Sequence, residues 1–280
     1  MTHNTTKQKT VLITGTNNPE GIGAAIAKSF HNSGFKVILR GYADPEDSAK
    51  VIPKELGTQR YTALNKQLPE ATAKQIGPDI LSFNCDLRDE SNIKALFAYA
   101  IKHCGHVDAL INNAAISVAD SFLSKGSSGD TSIISLSSET IDANFSINTK
   151  AAMLLVKEYV SQYLIHNLTV GSIINISTDS AYDGFPEEVS YQASKLALES
   201  YTRSSAVELG PIGIRVNAIE PGPVQSGWID GELEKLCLAN IPLQKIGTPQ
   251  DIANGALFLA SEQSSWITGQ VLKINGGHRM

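Results

Sequence analysis

Short runs of apolar residues alternate along this chain with longer stretches in which apolar positions recur every three or four residues. Thr10-Val11-Leu12-Ile13 is the first short run, uninterrupted in the manner of a strand buried on both faces. From Gly21-Ile22-Gly23 onward, Ala24, Ala25, Ile26, Ala27 and Phe30 repeat with helical period, and Gly34 ends the segment. Lys36-Val37-Ile38-Leu39 follows as a second strand, which makes a βαβ unit with parallel pairing and a right-handed crossover. The same alternation predicts strands over 79–84, 107–111, 171–176, 214–219 and 270–274. Helices are expected over 90–103, 139–166, 191–209 and 251–261. The expected fold is α/β: a single-domain Rossmann-type doubly wound parallel sheet with helices on both faces, spanning residues 1–280.

Four stretches break this rhythm. Residues 1–8 are polar and read as a flexible N-terminus. Residues 42–78 carry Pro45, Pro53, Pro69 and Pro78, so a short helix or two between loops is expected there. Residues 117–138 are rich in Ser and Gly and read as a mobile loop. Residues 221–247 begin with Pro221-Gly222-Pro223, with a short helix expected from Asp230 to Leu238, and form a candidate substrate lid.

Composition narrows the function classes. Charged residues make up 18% and hydrophobic ones 42%, with a formal charge of -5. No basic run would track a phosphate backbone, so nucleic acid is not an expected partner. No stretch reaches the roughly 18 apolar residues of a membrane span, and the N-terminus lacks the apolar core of a secretory signal, so a cytoplasmic location is expected. Cys85, Cys104 and Cys237 are scattered, and no His pairs with Cys or a carboxylate at ligand spacing, so neither a disulfide framework nor a metal site is expected.

Two stretches carry candidate chemistry. In Ser190-Tyr191-Gln192-Ala193-Ser194-Lys195, residues four apart share a helix face, so Tyr191 and Lys195 stand side by side. A neighbouring cation favours the phenolate and brings a group that normally titrates near pH ~10 toward working range. An exposed pair on a surface helix is the alternative that spacing alone allows. In Thr14-Gly15-Thr16-Asn17-Asn18-Pro19-Glu20-Gly21-Ile22-Gly23, glycines between a buried strand and a helix start let backbone N–H groups approach a pyrophosphate.

These motifs, with Asn112-Asn113-Ala114-Ala115, Asn148, Asn175-Ile176-Ser177-Thr178 and Pro221-Gly222-Pro223-Val224, resemble the short-chain dehydrogenase/reductase family in identity and order. Arg215-Val216-Asn217-Ala218, Gly247-Thr248-Pro249-Gln250-Asp251-Ile252-Ala253 and the run from Gly269 to Gly277 resemble its 3-oxoacyl-carrier-protein reductase branch. The resemblance implies that Tyr191 is the general acid or base and that Lys195 lowers its pKa and holds the nicotinamide ribose. It implies that Asn148 holds a relay water and that Thr178 binds the substrate oxygen. It further implies cofactor contacts at Gly15, Asn17, Gly21, Ile22, Gly23, Asp86, Leu87, Asn112, Ala114, Tyr191, Lys195, Pro221, Gly222 and Val224. Relatives commonly form homotetramers through the 139–166 and 191–209 helices and the last strand.

The chain departs from the family pattern in three places. Five residues rather than three separate Gly15 from Gly21, and Asn113-Ala114-Ala115 replaces the usual Asn-Ala-Gly. Thr178 stands where a Ser is usual; its hydroxyl makes the same hydrogen bond and its methyl narrows the pocket, with Ser180 as the fallback. At the end of the second strand, where an NAD-preferring site places a carboxylate, the chain has Leu39-Arg40-Gly41-Tyr42. Arg40 is the expected partner of a 2′-phosphate, so NADP is the expected cofactor, with NAD as the alternative. The expected function is hydride transfer between nicotinamide and a small-molecule ketone or secondary alcohol, with a 3-oxoacyl thioester as first substrate. A sugar or polyol dehydrogenase and a catalytically silent nucleotide-binding protein are the alternatives.

Overall fold

The strands are β1 (Thr10–Thr14), β2 (Lys36–Gly41), β3 (Leu81–Asn84), β4 (Ala109–Asn112), β5 (Asp120–Ser121), β6 (Ile134–Ser135), β7 (Gly171–Ile176), β8 (Ile214–Pro221) and β9 (Val271–Ile274). In the computed structural model, which describes residues 8–43, 67–123, 133–227, 229 and 231–279, seven of them form one parallel sheet. Its order is β3-β2-β1-β4-β7-β8-β9. Val11, Leu12 and Ile13 are wholly buried because β1 lies inside this sheet with helices over both faces.

Side-chain alternation along the strands separates two cores. Leu12, Ile38, Leu110, Ile173 and Val216 pack beneath α3 (Glu90–Cys104), α5 (Ala152–Ile165) and α7 (Val189–Leu209). Val11, Ile13, Val37 and Leu39 pack on the other face, with Ile26 and Phe30 of α1 (Ile22–Asn32) and Ile252 and Ala256 of α9 (Pro249–Ala260). The chain order reverses between β1 and β4, so their C-terminal ends open the crevice where α/β sheets bind ligands.

Three expectations change in detail. The strand expected over 79–84 starts only at Leu81, because Asp79 pairs with His31 at 3.0 Å and the Ile80 amide closes a turn on Gly77. The helix expected over 139–166 is α4 (Ser138–Phe145), then a π-helical stretch at Ser146–Ala151, then α5. The loop expected over 117–138 contains the β5–β6 ladder, anchored by buried Asp120, which accepts from the Ser190 amide at 2.9 Å. Within 42–78 the structure holds α2 (Pro69–Ile76); α6 (Ser180–Asp183) is a single short turn, and α8 (Gly231–Asn240) occupies the 221–247 segment. The tail at 1–7, residues 44–66 and 124–132, Trp228 and Asp230 lie outside the described residues.

Candidate active site

At the C-terminal end of β1, Gly15 adopts φ +74° and lies against Ala114, so that a Cβ would come within 2.7 Å of the Ala114 Cα. A Cβ on Gly23 would meet the Gly15 carbonyl at 2.5 Å. Asn113 Nδ2 donates to the Thr14 and Gly15 carbonyls, each at 2.9 Å, and Thr14 Oγ1 accepts from the Asn113 and Ala114 amides. The lengthened loop closes on itself, the Gly21 amide donating to the Asn18 carbonyl at 3.0 Å. It is also tied outward: Asn18 Nδ2 donates to the Ser226 carbonyl and Asn17 Nδ2 to the Gln67 carbonyl. Gly21 caps α1 without a side-chain bond, so the first-turn N–H groups of that helix face the crevice uncapped by any side chain. Thr16 Oγ1 and Asn112 Oδ1 are buried polar atoms without protein partners beside this turn. A backbone cradle closed to any Cβ, with orphaned donors and acceptors around it, fits a dinucleotide pyrophosphate.

Arg40 does not face this crevice. Its side chain points to the same face as Ile38, is 4% exposed, and donates through Nε to the Cys85 carbonyl at 2.9 Å, with Nη2 on the same oxygen. Burial pushes its pKa down, and the guanidinium is spent joining β2 to the segment after β3. The expectation that Arg40 meets a 2′-phosphate is therefore corrected. Arg88 is the arginine at the surface of this segment. It clasps Asp86 through Nε and Nη2, at 2.8 and 2.5 Å to Oδ2, and also bonds Tyr42 at the end of β2. Hydrogen bonds from Arg88 hold the Asp86 carboxyl below its usual range against the opposing effect of burial. Leu87 is a core residue, so any cofactor contact there comes from its backbone.

Asn112 donates to Asn175 Oδ1 at 2.9 Å, and Asn175 donates to Thr202 Oγ1, so its amide group is used inside the sheet. At the far wall, the Gly222 amide bonds Ile274, and Val224 bridges to Gly247. Pro221 ends β8 there.

The catalytic candidates converge at the ends of β7 and α7. Lys195 is 2% exposed and its Nζ donates to the Ile176 carbonyl at 2.8 Å. Burial pushes its pKa down to about 8, with Glu199 acting in the opposite sense. The ammonium lies 6.0 Å from the centroid of the Tyr191 ring. Thr178 Oγ1 and Ser180 Oγ are 3.0 Å apart, whereas Ser177 turns inward and donates to Glu199 Oε1 at 2.5 Å. Asn148 sits in the π-helical stretch, a conformation that recurs at functional sites. Its Oδ1 accepts from the Ile116 amide, while Nδ2 donates to the Ile116 carbonyl and to Ser194 Oγ. Both amide protons are used, so a relay water at Asn148 has only main-chain atoms or the second Oδ1 lone pair to bind.

Sequence reading missed the groups beneath this site. Glu199 is wholly buried one turn after Lys195, and Glu220 is 2% exposed just before Pro221-Gly222. Burial and the neighbouring Glu199 carboxyl push Glu220 up to about 7. The signal in the sequence was the four-residue step from Lys195 to Glu199 on one helix face. Among the described residues, no cluster of His, Cys, Asp and Glu could hold a metal ion, and no helix is long and apolar enough to cross a membrane.

A glycine cradle at the sheet's switch point, facing a tyrosine and a buried lysine one helical turn apart, defines a nicotinamide-dependent oxidoreductase site. Comparison with known proteins agrees: the family model described as enoyl-(acyl carrier protein) reductase matches residues 57–279. The 3-oxoacyl-acyl-carrier-protein reductase of Rickettsia bellii is 34% identical over 275 residues, covering 97% of each chain. An uncharacterised oxidoreductase of Bacillus subtilis is 29% identical over 271 residues, again covering 97% of both. Among solved structures, a short chain dehydrogenase from Bacillus anthracis matches with a TM-score of 0.77 at 26% identity over 98% of each chain. A glucose/ribitol dehydrogenase from Brucella melitensis matches at 0.76 and 27% over 97% of each. The chain belongs to the short-chain dehydrogenase/reductase family and is an oxidoreductase that uses a nicotinamide cofactor. Within the family it resembles the 3-oxoacyl-carrier-protein reductases.

Proposed function

We propose that this protein reduces a ketone, or oxidises the matching secondary alcohol, with NADP(H) as cofactor and a 3-oxoacyl thioester as substrate. The observation that carries the reading is the α7 face on which Tyr191 stands one turn from buried Lys195, with the Thr178 hydroxyl at the end of β7. When bound, the nicotinamide supplies the carbon that gives or takes the hydride. Tyr191 hands a proton to the substrate oxygen in reduction and removes it in oxidation. Lys195 favours the tyrosinate by its charge. Thr178 donates to the same substrate oxygen while its other lone pair stays with Ser180. Asn148 positions a relay water through the π-helical backbone, its amide protons being engaged.

Gly15, Gly21 and Gly23 let the backbone receive the pyrophosphate, with Asn17 and Ile22 contributing main-chain atoms. Asp86 and Leu87 would flank the adenine, Asn112 and Ala114 would line the ribose and nicotinamide side, and Pro221, Gly222 and Val224 would meet the carboxamide. The NADP(H) preference is supported by the absence of a carboxylate at the end of β2: Gly41 stands there against the Asn17 side chain. With Arg40 turned inward, Arg88 is the cation for the 2′-phosphate. Arg88→Ala is expected to weaken NADPH about tenfold, the worth of one charge-assisted bond, and to leave NADH within about twofold. Fluorescence titration with both cofactors checks this; equal weakening of the two refutes the role.

Thr178→Val is expected to lower kcat by about 10²-fold, the loss of one donor to the substrate oxygen, with unchanged cofactor Kd and recovery in Thr178→Ser. Near-normal turnover of the Val variant moves the role to Ser180.

The thioester reading is supported by the named activity of the Rickettsia relative and by Phe122 and Leu123, which stand exposed where β5 ends and suit an acyl chain. Residues 221–247 serve as the lid over it. Following NADPH oxidation with 3-oxoacyl thioesters, simple ketones and sugars tests the reading. Preferred turnover of a sugar or polyol would favour the activity named for the Brucella structure instead. Tight nucleotide binding without any turnover would mark a silent nucleotide-binding protein. We also place the protein in the cytoplasm as a homotetramer. Its three free cysteines suit a reducing compartment, and exposed Met153 on α5 and Leu272 on β9 give apolar surface for subunit contacts. Light scattering reads the assembly.

A further inference from the structure

Behind Lys195, two carboxyl groups from different elements are buried together. Glu199 of α7 is wholly buried, with Oε1 held by Ser177 and Oε2 without a partner. Glu220 of β8 lies within hydrogen-bonding reach of Glu199, and its Oε2 has no hydrogen-bond partner, the nearest cation being Lys273 Nζ of β9 at 3.9 Å. Among the described residues, the other charged groups facing the pair are Lys195 of α7, beside Glu199, and, beside Glu220, Asp179, whose carboxylate is held by His278 Nδ1 at 2.8 Å. Two neighbouring carboxylates in a dry interior cannot both ionise freely, and with Oε2 of each buried without a donor the pair can accommodate one proton between them.

We propose that Glu199 and Glu220 share a single proton beneath Lys195 and act as positioning residues, releasing that proton as pH rises to keep the catalytic ammonium charged. Protonated, the pair presents one negative charge to Lys195; deprotonated, it presents two. Glu199, a helical turn from Lys195, already opposes the burial that strips the ammonium of its proton, and the second charge on Glu220 of β8 adds to the same side. Across an effective dielectric of about 20, such a charge moves a neighbouring titration by on the order of one pH unit. Burial and Glu199 push Glu220 up while burial pushes Lys195 down, so the two groups titrate in neighbouring ranges and the added charge opposes loss of the ammonium proton.

The function of Lys195 in this argument rests on the proposed role of the Tyr191–Lys195 pair, so two readouts are independent of turnover. Glu220→Gln keeps shape and a donor toward Glu199 but fixes the pair in its one-charge state. Wild type binds the shared proton more tightly folded than unfolded and therefore loses stability as pH rises from about 4.5 toward 7. The Gln variant lacks that loss, so its Tm relative to wild type should climb through this window and level off above it; a constant offset overturns the shared proton. In wild type itself, infrared spectroscopy should show a protonated-carboxyl band in the folded protein at pH 6 that vanishes by pH 9, and its absence overturns the proposal even where no variant folds. If those readouts hold, the alkaline limb of the kcat profile in Glu220→Gln should move about one unit to lower pH. An unmoved limb would leave the proton shared but remove its link to Lys195, overturning the positioning role. Glu199→Gln removes the neighbouring carboxyl but leaves Glu220 buried, so it should shrink the pH-dependent loss without abolishing it.

Discussion

Tyr191→Phe is expected to lower kcat about 10³-fold with the fold and the cofactor affinity intact. The substitution removes one oxygen and keeps the ring that stacks near Lys195 at 6.0 Å. The helix carrying it is fixed elsewhere: Ser190 bonds Asp120, Ser194 bonds Asn148, and the residues from Leu198 to Leu209 pack on the sheet. Loss of a positioned proton donor removes a contribution of about 10²–10⁴ in rate, and no neighbouring hydroxyl can replace it without moving, since Thr178 and Ser180 already bond one another. Steady-state kinetics, a thermal melt and a cofactor titration check the three parts. Retention of a tenth of wild-type turnover would move the proton transfer to another group.

The sheet was legible in the sequence because parallel strands buried on both faces must be apolar throughout, as Val11-Leu12-Ile13 and the 171–176 run are. The Tyr191–Lys195 spacing was legible because a helix converts a four-residue step into adjacency. The π-helical stretch at Ser146–Ala151 was not, since one inserted residue shifts the apolar period too little to read. Arg40 shows a different limit. The apolar run stops at Leu39, but β2 continues to Gly41, so Arg40, two residues from Ile38, shares that residue's face and enters the core around Cys85 and Leu87. The residue beyond it, Gly41, is the one that ends beside Asn17. Glu220 escaped for a further reason. Its partner Glu199 lies on another element, and only the crossing of α7 over the end of β8 brings the two carboxyls together.

Lys195→Met should be as damaging to turnover as it is harmless to folding. The ammonium lies 6.0 Å from the Tyr191 ring, and its removal takes away the cation proposed to favour the tyrosinate, a loss of about 10²-fold or more in kcat. Stability follows opposing terms of similar size. Holding the ammonium in the interior lowers its pKa from 10.5 to about 8, which weighs against the folded state by about 3 kcal/mol at neutral pH. Met relieves that cost and fills the same channel, but leaves the Ile176 carbonyl without its donor, a loss of about 1–3 kcal/mol. The two nearly cancel at pH 7, so the variant should melt within a few degrees of wild type. Above pH 8 they separate. Because the unfolded chain holds the Lys195 proton more tightly than the folded one does, wild type gains stability as pH rises from about 8 toward 10.5, and the Met variant has no such gain. Melting both proteins at pH 7 and pH 10 should show wild type pulling ahead at the higher pH. A variant that melts far below wild type at pH 7, with a gap independent of pH, would make Lys195 a structural residue first and a catalytic one second.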